Sequence, residues 1–130
     1  MRYTWQYFEN GMESELSKHL TALVSEYGKE VIIELAFCMM RNLADKEVIA
    51  EVLRCLGRMT DVLSKEFRRE FLELGLLHTS VVIRDGAYVG LSSLRDPRTR
   101  RAIKESVERE SNPDLRDDLQ YLLDELEHAH

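Results

Sequence analysis

The side chains that could carry chemistry are few and scattered. His19 and His78 stand alone, and His128 and His130 form an HxH tail at the end of the chain. Two imidazoles on a chain end fall short of the ligand set that a zinc site needs. Adjacent acids such as Asp117-Asp118 and Asp124-Glu125 have the types for general acid–base work. They recur on one polar helix face, where carboxylates usually serve solubility. Cys38 and Cys55 fall on apolar helix faces and read as two buried thiols. They have no partner cysteine at CxxC spacing. The chain has no Gly-rich phosphate loop, no GxSxG elbow and no HExxH helix. No cofactor or metal is expected, and the expected protein is not an enzyme.

Charge is more informative. Residues 95–104 hold Arg95, Arg98, Arg100, Arg101 and Lys104 against Asp96 alone. Residues 105–130 hold nine acids against Arg109 and Arg116. A basic strip beside an acidic end is the pattern of a surface that docks an oppositely charged protein. The net charge of −6 argues against general nucleic-acid binding, which must neutralise phosphates. The expected partner is therefore another protein with a basic surface, and nucleic acid is an unfavoured one. The basic strip is what a nucleic-acid interface would use.

These residues must be held by helices. Apolar residues make up 44% of the 130, enough to build one core. Periodicity predicts a helix over 13–27 (Leu16, Leu20, Leu23, Val24), ended by Gly28, and one over 29–42 that is apolar almost all round and so expected at the centre of the core. A third covers 46–59, capped by Asp45, with Glu51, Arg54 and Arg58 as its polar stripe. A fourth covers 61–77, with Val62, Phe67, Phe71, Leu72, Leu74 and Leu77 inward and Lys65, Arg68 and Arg69 outward. Ser80 is the expected cap of a fifth helix over 81–94. Asp96-Pro97 and Asn112-Pro113 start the last two, with proline where its missing N–H costs nothing. The last helix is the cleanest amphipath, with Leu115, Leu119, Leu122, Leu123 and Leu126 on one face. Tyr3, Trp5, Tyr7 and Phe8 form an aromatic lead-in over 1–12. No apolar run reaches the ~20 residues of a membrane span, and no signal peptide is visible. The expected location is cytoplasmic.

Ile83-Arg84-Asp85, Leu91 and Leu94 recur 32 residues later as Leu115-Arg116-Asp117, Leu123 and Leu126. Stacked helix pairs of this size mark α-solenoids, in which neighbouring repeats bury what one repeat cannot. The segment Ser80-Val81-Val82-Ile83-Arg84-Asp85-Gly86-Ala87, followed by Gly90-Leu91 and Leu94-Arg95-Asp96-Pro97, resembles the second helix of a HEAT repeat and the turn after it. The resemblance covers 80–127 and extends to 45–60, where Val48-Ile49 stands in place of the hydrophobic-Arg pair. It implies an all-α fold, a short right-handed α-solenoid of about seven helices in HEAT-like pairs. The single domain would divide into the lead-in, a capping helix over 13–27, and pairs over 29–59, 61–95 and 97–127. The family implies second helices along a concave side, and hence a partner-binding set of Glu51, Arg54, Arg58, Arg84 and Tyr88. A bacterial immunity-type inhibitor of a basic toxin is one specific form of such a module. In HEAT-like stacks, residues such as Arg84/Arg116 and Asp85/Asp117 commonly brace neighbouring helices.

Overall fold

The structure is a computed structural model that describes residues 13–128. The aromatic lead-in and His130 lie outside the described residues. Those residues form seven α-helices and one 3-10 turn, with no strand: α1 Glu13–Tyr27, α2 Lys29–Met40, α3 Lys46–Arg58, α4 Lys65–Gly75, α5 Val81–Leu94, the turn Pro97–Thr99, α6 Arg100–Arg109 and α7 Pro113–Glu127.

Local chemistry sets the boundaries. Gly28 takes φ 60° between α1 and α2, and its N–H donates to the Val24 carbonyl at 2.8 Å. Asp45 accepts the Glu47 N–H at 3.0 Å, Asp96 the Arg98 N–H at 2.9 Å and Asn112 the Leu115 N–H at 3.1 Å, so three of the expected caps are made. Ser80 makes no cap bond with its side chain. Its own N–H instead donates to Nδ1 of His78 at 2.9 Å. That leaves Nε2 of His78 to carry the proton, facing Asn42 Oδ1 at 3.0 Å and the Met39 carbonyl at 3.3 Å. The lone histidine ties the end of α2 to the start of α5.

The closest helix pair is α3 with α5. A Cβ at Gly86 would lie 2.7 Å from the Cα of Ala50, and one at Gly57 would land on the backbone of Gly90. Glycine is needed on both helices because backbone meets backbone there. Helix α5 also packs on α4 and α7, α6 packs on α7, and α1 touches both α2 and α3. The core runs through Leu53, Leu56, Leu72, Ala87, Leu91 and Ile103 to the inner face of α7. All five leucines expected on that face are buried. Leu123→Ala is expected to cost about 2–5 kcal/mol, the range for a buried leucine whose site cannot fully collapse. Urea titration of the purified variant measures this.

Four expectations need correction. Helix α2 is not central: Ile33, Phe37 and Met40 are 57%, 42% and 63% exposed, and only Ile32 and Met39 are buried. Its main contacts are with α1 and α4, and Ile33, Phe37 and Met40, at i, i+4, i+7 spacing, form an exposed face. Helix α4 is shorter than 61–77. The Asp61 carboxylate accepts the Ser64 N–H at 3.1 Å, which delays the helix and leaves Val62 and Leu63 exposed. At the far end Leu77 N–H bonds the Leu74 carbonyl at 3.0 Å, closing a tighter turn that turns Leu77 outward. Arg68 points inward and is fully buried. Of the two cysteines, Cys55 is buried and Cys38 only half-buried.

Candidate functional site

Four of the five residues expected to bind a partner through the second helices make internal bonds. Glu51 is 1% exposed. Its carboxylate accepts Arg54 Nε at 2.7 Å and lies 3.6 Å from Nη2 of Arg58. Burial forces this pairing, because a lone carboxylate in the interior is costly. Cys55 sits in the same cluster. Burial pushes its thiol pKa up to about 11, with Glu51 adding to the shift and Arg58 opposing it. Such a thiol is inert near neutral pH. The stripe read as free on the sequence is therefore a polar cluster along α3, with Arg58 half outside it.

Arg84 is a brace. Its Nε and Nη2 donate to the two oxygens of Glu110 at 2.9 Å each, and Nη1 donates to the carbonyls of His78 and Thr79. Glu110 ends α6, and its Oε2 also accepts the Asn112 N–H that leads into α7. One bidentate pair thus joins the starts of α5 and α7 to the end of α6. Burial alone would raise the Glu110 pKa. The bonds from Arg84 and Asn112 outweigh it and hold the carboxyl below its usual value. A depressed folded pKa gives stability that is complete above the unfolded value near ~4.3 and is lost as pH falls through the lower folded one. Glu110→Gln is therefore expected to be about 1–3 kcal/mol less stable than the parent near neutral pH, with the gap closing in acid. Denaturant melts of both proteins across pH 2.5–7 provide the check.

The basic strip is largely neutralised where it stands. Arg98 donates to both oxygens of Asp96 and to Glu66 at 2.8 Å, linking the 3-10 turn to α4. The Asp96 bonds are the first reason its pKa lies above the ordinary arginine value. Arg95 lies 3.4 Å from Glu125, and Arg101 3.5 Å from Glu105. Arg100 is half-buried and Lys104 is exposed. These residues do not form one free cationic surface.

What α3, α5 and α7 do share is a groove. A cavity of about 410 Å³ opens between the N-terminal halves of α3, α5 and α7. Ala50, Val81, Val82 and Leu115 provide its apolar wall. Glu47, Arg54, Asp85, Asp114 and Asp118 stand around it, with Asn112 at one end. Val81 and Val82 are 39% and 37% exposed at the first turn of α5. Asp85 and Asp118 make no hydrogen bond or ion pair among the described residues. Burial raises the Asp85 pKa, with the Arg54 charge lowering it and Asp118 raising it further. The strip continues beyond the groove. Tyr88 has its hydroxyl pKa raised by burial and then by the negative field of Asp118, Asp85 and Glu125, with Tyr121 nearby.

Of the expected binding set, then, only Arg54 and Tyr88 reach this face. The sequence reading missed Val81, Val82 and Asp118. The 32-residue repeat pairs Asp85 with Asp117, yet Asp118 is the acid that α7 turns toward the groove. A signal was present: two adjacent valines follow directly on a helix start, where one of them must face outward. Among the described residues no three His, Cys, Asp or Glu side chains are placed to hold a metal ion, and no helix is long and apolar enough to cross a membrane.

Compared with known proteins, the chain matches no family model, no curated protein and no solved structure.

Proposed function

We propose that this protein is a non-enzymatic protein-binding module, an adaptor, scaffold or inhibitor built as a short right-handed α-solenoid of HEAT-like pairs. In this reading α3, α5 and α7 are the second helices of successive pairs, and their shared face takes the partner. Three features support the arrangement: contacts that run from α1 to α3 to α5 to α7, the close approach of α3 and α5, and the Arg84–Glu110 brace between the last two pairs. The single observation that carries the function is the groove across α3, α5 and α7, with Val81 and Val82 exposed on its wall and the Asp85 and Asp118 carboxylates not hydrogen-bonded among the described residues. An exposed apolar surface rimmed by polar groups is the usual form of an interaction site.

The nucleic-acid reading draws less support, because Arg95, Arg98 and Arg101 already face carboxylates. Affinity capture with the parent chain and with Val82→Glu, side by side at physiological salt, tests the choice. The module reading expects one protein retained by the parent and lost with Val82→Glu. Retention of nucleic acid instead, lost with Arg98→Ala/Arg101→Ala, would overturn it.

A further inference from the structure

The groove has a chemistry that selects its occupant. Its wall is aliphatic: Ala50, Val81, Val82 and Leu115. Its rim is strongly acidic. The one cation among the described residues that line it, Arg54, is already committed to Glu51 at 2.7 Å. Asp85 on α5 and Asp118 on α7 are left facing the same space without a hydrogen-bonded partner. Two nearby carboxylates on one groove repel one another, and a cation between them relieves that repulsion. The same cation would lie near Tyr88, whose ring adds an attractive face. An apolar group alone would fill the wall and leave the repulsion between the carboxylates unrelieved. A cation alone would leave Val81 and Val82 in water. The surface is satisfied only by both together.

We infer that the groove between α3, α5 and α7 binds a protein segment that places a lysine or arginine between Asp85 and Asp118 and an aliphatic or aromatic side chain against Val81, Val82 and Leu115. The inference rests on the protein-binding reading and names the partner's chemistry. A partner of this kind carries a basic, partly apolar segment, and long-range attraction to the acidic end of the chain speeds its arrival. The cavity volume falls within the range of pockets that hold side chains or small ligands. The exposed stripe of α2 offers no such selection, since the charges that border it, Glu30, Glu34 and Arg41, are of both signs.

The test is a random twelve-residue peptide library panned on the full chain, with an unrelated acidic helical protein as counter-selection. Enriched peptides are then measured by fluorescence anisotropy against the parent, Asp85→Asn/Asp118→Asn and Val82→Ser, each first shown to be folded by circular dichroism. The expected peptides pair Lys or Arg with an apolar residue. They should bind at least ~10-fold more weakly to either variant and weaken as salt rises. Peptides of lysine and glycine alone should bind far more weakly. If they bind as well as the selected ones, the attraction is bulk charge and the inference fails. Selected peptides that bind both variants as they bind the parent would overturn the groove and leave the protein-binding reading standing on another face. No peptide enriched over the counter-selected protein would overturn the groove; if affinity capture also retains no protein, the module reading falls with it.

Discussion

Arg68→Ala is expected to lower stability by about 3–5 kcal/mol. The guanidinium is fully buried on α4. It donates to Ser64 Oγ at 2.8 Å, to the Leu56 carbonyl at 2.8 Å, to the Met59 carbonyl at 3.1 Å and to the Asp61 carbonyl. Helix α3 ends at Arg58, so the Leu56 carbonyl belongs to its last turn, which has no intrahelical donors left. The α3–α4 connection runs through Met59 and Asp61. One side chain therefore supplies the donors for a helix end and the loop after it. A positive charge also suits the negative end of the α3 dipole. Burial lowers the Arg68 pKa from its ordinary value, and the charge of Asp61 works the other way. Arginine still keeps its proton at any physiological pH. Alanine would strip the Leu56 carbonyl of its donor inside the core, take one from the half-buried carbonyls of Met59 and Asp61, and open a cavity beside Leu56. Lysine has the charge without the planar fork and should recover only part of the loss. Equilibrium denaturation of both variants checks the order. An Arg68→Ala protein as stable as the parent would mean that the guanidinium does not cap α3.

Gly57→Ala is the second large effect, expected to cost about 2–4 kcal/mol despite alanine's better helix propensity. Propensity favours the change by roughly 1 kcal/mol in a free helix. Against it, the new Cβ lands on the carbonyl oxygen and Cα of Gly90, with no rotamer to turn aside. Backbone must move, so α3 and α5 must part, and the groove they share with α7 must widen. Gly28→Ala is the control. A Cβ there meets nothing within 4 Å, and what opposes it is the backbone itself, at φ 60° and ψ −127°, a region open mainly to glycine, so the cost should be about 1–3 kcal/mol and involve no parting of helices. Calorimetric melting of the two variants should place Gly57→Ala below Gly28→Ala.

Most of the helices were legible because periodicity and punctuation agreed. The bounds of the helices at 13–27, 81–94 and 113–127 match the expectation, since glycine, serine or X-Pro marks each change of direction. Arg68 was misplaced because its type was weighed above its spacing. Ser64, Arg68, Phe71, Leu72 and Gly75 recur at helical intervals, and all five are buried. Spacing alone would have put the arginine inside; what it could not supply was the set of carbonyls from another helix that makes burial tolerable. Glu51 is a similar case, with its partners Arg54 and Arg58 on its own helix and in plain view. Helix α2 failed in the opposite sense. An apolar surface on all sides says that burial is favourable, and it does not say that a neighbour exists. The groove was the least legible feature. It joins residues from 47 to 118, and its α7 acid is one position away from the one the repeat would choose.

The most direct test of the central claim, that the shared face of α3, α5 and α7 is the binding face, is backbone amide hydrogen exchange on the chain alone and saturated with its captured protein partner. First-turn amides of a helix have no intrahelical acceptor and exchange readily. Those of α5 and α7 border the groove. The account predicts that the partner slows exchange over residues 81–85 and 114–118, with a smaller effect over 47–54. Slowing confined to 98–104 or to 33–43, with 81–85 unchanged, would contradict it.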